Sequence, residues 1–144
     1  MKKTLLLILF LTFSSYCIGQ MAKNELYGKW KVQRVVKKSP KPEFRALLDG
    51  FGKATFIFHE NGDFNLTTES KAPMFQIILQ MTKDSKWIFD DKAQLIKIGK
   101  EEDGYSIMGI HPTMKDATIE FAMDESEMVF EVKKLVVNNG SDNE

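Results

Sequence analysis

His59 and His111 are the two histidines of the chain, and Asp63, Asp90, Asp91 and Asp116 fall near them in its predicted turns. Imidazole and carboxylate together suit zinc, so a two-histidine, one-carboxylate centre is one chemistry these residue types permit. Their separation is not that of a local ligand pair, and solvated turn histidines are the plainer expectation. No metal is expected. A second set is acidic: Glu101, Glu102 and Asp103 in one segment, Asp124, Glu125 and Glu127 in another. Gathered at one opening they would repel fatty-acid carboxylates and favour cationic or neutral ligands. Scattered over turns, they are ordinary solvated charges. A third set is aromatic: Trp30, Phe56, Phe58, Phe64, Trp87, Phe89, Phe121 and Phe130. These could line an apolar pocket, with Met108, Met123 and Met128 as adaptable walls. Equally, they could fill a core. There is no glycine-rich phosphate loop and no nucleophile elbow, so neither catalysis nor a cofactor is expected.

Charge and cysteine usage depend on how the N-terminus is read. Lys2-Lys3 precede a nearly unbroken apolar run from Leu5 to Phe13, and small residues stand at the −3 and −1 positions of a cut before Gln20. That is the pattern of a secretory signal peptide over 1–19, with an apolar run too short to span a bilayer. Of the 20 basic and 20 acidic residues in the 144-residue chain, the segment removes two lysines and no acid. The remaining 125 residues carry 18 basic and 20 acidic side chains and no cysteine. Such a chain has room for one domain, and it lacks both the basic footprint of a nucleic-acid binder and any thiol chemistry. Cys17 has a second reading as a lipidated cysteine, but Ser14 and Tyr16 are a poor fit to that motif. Export to the periplasm or beyond is the expected location.

The elements that must position these residues alternate with period two, the mark of half-buried strands. Eight are predicted, over about 25–37, 54–59, 63–68, 86–90, 94–99, 105–110, 117–123 and 128–136. The first should place Leu26, Trp30, Val32 and Val36 on one face. The turn at His59-Glu60-Asn61-Gly62-Asp63 decides a register. A two-residue loop would mix faces, whereas a three-residue loop ending in a left-handed glycine pairs Phe58 with Phe64 and Phe56 with Leu66. The second is expected, with His59 opposite Asp63 and facing outward. Two segments read as short amphipathic helices. Over 43–49, Phe44, Leu47, Leu48 and Phe51 share a face, with Gly50 as C-cap. Over 73–83, Met74, Ile77, Ile78 and Met81 do the same. Residues 138–144 form a polar tail expected to fray.

Eight antiparallel strands must close or sandwich to bury their apolar faces. In an up-and-down barrel alternate connections share an end, so both helices belong with the two acidic turns at one mouth. An eight-stranded barrel is just wide enough to be filled by side chains or to hold one small ligand.

Gly28-x-Trp30, Phe56-x-Phe58, Glu60-Asn61-Gly62-Asp63, Lys86-Trp87 and Tyr105-x-Ile107 together resemble the lipocalin superfamily, and more closely the short lipocalin-like domains of bacterial envelope proteins. The resemblance covers roughly 25–136. It implies an all-β fold over 20–137, an eight-stranded antiparallel up-and-down barrel with two short helical lids and Trp30 packed across the closed end. Family members place an arginine near the last strand over that tryptophan. Here Lys133 or Lys134 would have to do so, and the Thr-Asp-Tyr motif of many lipocalins is absent. The resemblance also implies a non-catalytic small-molecule carrier. The expected ligand wall is Phe44, Leu48, Met74 and Ile78 on the lids, with Phe56, Trp87 and Tyr105 on the barrel. The alternative is a filled barrel that docks an envelope protein, with no membrane span in the mature chain.

Overall fold

Period-two sequence becomes eight strands: β1 (Gly28–Lys37), β2 (Ala54–Phe58), β3 (Phe64–Thr68), β4 (Lys86–Asp90), β5 (Leu95–Gly99), β6 (Met108–Lys115), β7 (Thr118–Met123) and β8 (Val129–Leu135). The computed structural model describes Gly19–Val137, so Cys17, the polar tail and all but the last residue of the expected export signal lie outside the described residues. All the pairs are antiparallel, in the order β3-β2-β1-β8-β7-β6-β5-β4. Between β3 and β4 the sheet meets itself at one end only. The Phe64 amide donates to Ser85 O (3.0 Å) and the Trp87 amide to Gly62 O (2.9 Å), beside an Asp63–Lys86 bridge. The result is a nearly closed barrel, in keeping with a lipocalin-like fold. No described helix is long and apolar enough to cross a membrane.

The β2–β3 hairpin has the register that one-sided burial demands. Phe58 pairs with Phe64 and Phe56 with Leu66, the His59 amide donates to Asp63 O, and Gly62 takes φ +95°. All four apolar partners are buried.

Three elements differ from the sequence expectation. Lys23–Leu26 is a 3₁₀ turn rather than strand, and β1 carries irregularities between Val32 and Arg34 and between Val35 and Lys37. An inserted residue reverses which side chains face inward. Val35 therefore packs against the core and Val36 faces solvent. The strand expected at 105–110 instead runs Met108–Lys115 through Pro112. The Asp124 amide donates to Gly109 O, so by alternation Pro112 sits at a position whose missing N–H the β7 ladder does not need. His111 therefore lies within a strand and not in a turn. Finally, Gly50 is no C-cap: it lies inside helix α1 (Leu48–Gly52), which continues a 3₁₀ turn at Pro42–Leu47.

The core is largely aromatic. Trp30 is buried, donates its indole N–H to Leu26 O (2.8 Å), and lies 5.6 Å from the Phe121 ring centroid. Lys134 is the cation above it, with Nζ 5.3 Å from the ring. Phe51 of the first lid stacks parallel on Phe56 and tilted on Phe130, and Phe56 meets Phe121 edge-on. At the other end Trp87 packs edge-on against Phe58 (5.1 Å) and donates to His59 O (2.9 Å).

Candidate functional site

Two lids close one end of the barrel, and they lock into each other. The second is helix α2 (Pro73–Met81), begun by a proline whose missing N–H falls among the donors a helix start leaves unpaired. Its buried side chain is Phe75, which presses its ring onto the backbone of Gly50 in α1; a Cβ at Gly50 would overlap that ring. Phe51 meets Phe75 edge-on at 4.8 Å. Polar ties run alongside. Thr68 donates to Gly50 O (2.8 Å), while the Asp49 carboxylate accepts from the Ser70 hydroxyl and from Lys53 (2.9 Å). The Ser70 bond, followed by Lys53, holds the Asp49 carboxyl below the usual carboxylate range.

The first lid is fastened across the mouth to the β7–β8 turn. Ser39 donates to Ser126 O (2.5 Å), and Lys41 Nζ donates to Glu125 O (2.7 Å) while lying 5.9 Å over the Phe44 ring.

Between lids and turns lies a half-open cavity of about 150 Å³. Phe44 and Phe51 come from the first lid, Ile78 and Met81 from the second, Met108 and Met123 from β6 and β7, and Glu125 and Ser126 from the β7–β8 turn. Ile107 and Gly109 complete it. Both helices and an acidic turn thus meet at one mouth. All six acids of the two turn segments are exposed, and Glu125 is the one of them that borders the cavity.

Of the residues singled out in the sequence, Phe44 and Ile78 line this cavity. Leu48 lines a separate depression with Lys38, Ser39, Arg45 and Met128. Phe56 is buried below the cavity, behind Phe51. Trp87 is drawn to the far end because β4 starts beside the β2–β3 turn. Tyr105 follows a 3₁₀ turn at Glu101–Asp103, takes φ +56°, and lines an outer depression with Leu95 and Lys97. Met74 is 51% exposed, as are Ile77 (52%) and Met81 (50%) to the same degree. Helix α2 is turned so that Phe75, Ile78 and Leu79 face the protein, because Gly50 offers a slot for a ring. The i, i+3, i+4, i+7 pattern at Met74 had pointed to the neighbouring face.

The two histidines do not converge. His59 bonds Asn65 (2.7 Å), and His111 lies between Gln94 O (3.2 Å) and Asp124 (3.1 Å). Among the described residues no cluster of three or more His, Cys, Asp and Glu side chains could hold a metal ion. Ile107 and Ser126 were not legible as wall residues because they lie outside the strands and carry no periodicity to place them, and Gly109, within β6, has no side chain to mark a face.

Compared with protein-family models, curated proteins and solved structures, the chain has no significant match in any of the three.

Proposed function

We propose that this is an exported, non-catalytic lipocalin-like protein that holds a small apolar or amphipathic molecule beneath its two lids. The observation that carries the reading is the cavity itself: aromatic, branched aliphatic and methionine residues around about 150 Å³, with Glu125 the one acidic residue in its lining. A space of about that volume accommodates one benzene-sized ring. It is below the roughly 300 Å³ of common ligand pockets. The fitting ligand therefore presents one ring or short chain end to the cavity and leaves any polar part, neutral or cationic, at Glu125. Affinity would come mainly from apolar area removed from water, about 25 cal/mol per Å² before association costs.

Native mass spectrometry of protein from its own source should show a co-purifying small molecule, and Ile78→Asp should remove it without unfolding the barrel. A chain that is always empty and binds no apolar probe would overturn the reading.

A second reading is favoured by Met74, Ile77 and Met81, a half-exposed apolar stripe along one face of α2. On that reading the stripe docks an envelope protein. Met74→Asp with Ile77→Asp would abolish capture of that partner and leave the melting temperature within a few degrees.

A further inference from the structure

The cavity concentrates one ligating residue type: methionine. Met123 lies opposite Met128 on the β7–β8 hairpin, its amide donating to Met128 O (2.8 Å). Ile110 pairs with Met123, so Met108, two residues earlier on the same face, is the diagonal neighbour of Met123. Diagonal neighbours on one face have Cβ atoms up to about 7–8 Å apart, within reach of long side chains. Met81 comes down from the last turn of α2 onto the same space. Three methionines from three elements thus line one cavity of about 150 Å³, and a fourth, Met128, is buried opposite Met123.

Thioether sulfur is a soft, neutral donor. It binds hard cations poorly and selects Cu(I) among biological metals. Methionine can also be mere packing material, chosen for its flexibility. Two further features separate the cases. Glu125, exposed and acidic, is among the residues that border the cavity, and exposed acids on the two turns raise the local cation concentration. Packing alone needs neither.

We propose that the mouth is a site for a soft monovalent cation, Cu(I), held by the sulfurs of Met81, Met108 and Met123. The site shares the cavity of the small-molecule reading but not its chemistry, so either can fail alone.

The test uses the mature chain without oxygen, with Ag(I) as a redox-inert probe and Cu(I) competed against a chromophoric chelator. One equivalent of Ag(I) should move the methyl resonances of Met81, Met108 and Met123 and leave those of Met21, Met74 and Met114 in place. Met108→Leu with Met123→Leu conserves volume and apolar character. It should weaken Ag(I) binding by more than about a hundredfold, beyond what loss of an outer-shell partner costs, while apolar-probe binding persists. Should the double variant fold poorly, Met81→Leu, at a half-exposed lid position, should still weaken Ag(I) binding about tenfold. Unchanged Ag(I) affinity in these variants, or equal shifts at Met74 and Met114, would overturn the proposal. Apolar-probe binding without Ag(I) binding overturns it too, and leaves the small-molecule reading standing.

Discussion

Lys134 crosses the bare backbone of Gly28 to reach Trp30. Lys134 pairs with Trp30 across β1 and β8, sets its ammonium 5.3 Å above the indole, and donates to Glu25 O (3.1 Å). A Cβ on Gly28 would stand 2.9 Å from Lys134 Cε, and Gly28 has φ +120°. The Gly-x-Trp pair is therefore one device: glycine clears the path by which the lysine stem covers the tryptophan. Gly28→Ala should cost about 1–3 kcal/mol through backbone strain. Lys134→Ala should cost about 1 kcal/mol, and Trp30→Ala about 3–5 kcal/mol. Urea unfolding of the three variants checks the order.

Gly50 and Phe75 make the lids one body. Gly50→Ala forces the Phe75 ring out of its slot, and overpacking of this kind costs about 1–3 kcal/mol. The expected signature is local. Amides of α2 should lose hydrogen-exchange protection while those of β6 and β7 keep theirs.

Acid should loosen the lids and the seam together. Asp49 is held below its ordinary pKa first by Ser70, and Asp63 first by Lys86 across the β3–β4 seam. A carboxyl whose folded pKa is depressed contributes stability that is fully present above the unfolded value. That contribution is lost as pH falls through the folded one. The window therefore opens below about pH 4. Exchange protection of α2 should fall in that window, and Asp49→Asn should show weaker protection at neutral pH with the acid step removed.

The Ser85 hydroxyl is buried with no hydrogen-bond partner among the described residues. An unmet buried donor is a cost without return. Ser85→Ala should stabilise the chain by about 1 kcal/mol, raising the melting temperature by a few degrees.

What could be read beforehand was whatever one-sided burial dictates. The Phe58–Phe64 register followed from keeping aromatics on one face, and the shared mouth followed from the parity of connections. What escaped the sequence depends on backbone irregularity or on a partner surface. The bulges after Val32 carry no residue signature, so Val35 and Val36 exchanged faces. Helix α2 offers two adjacent apolar faces, and only the slot at Gly50 chooses between Met74 and Phe75. Trp87 lies far from the lids because β4 starts low, and a stagger between strands leaves no trace in either strand's pattern.

The position of β8 between β1 and β7 governs when this chain can fold. Lys29 is matched with Leu135, so the first strand waits for the last before the sheet can close. Pairings that distant in sequence place a domain among the slow folders, in milliseconds to seconds. Until its final strand arrives β1 keeps one edge unpaired, so the barrel can close only once nearly the whole chain is in place.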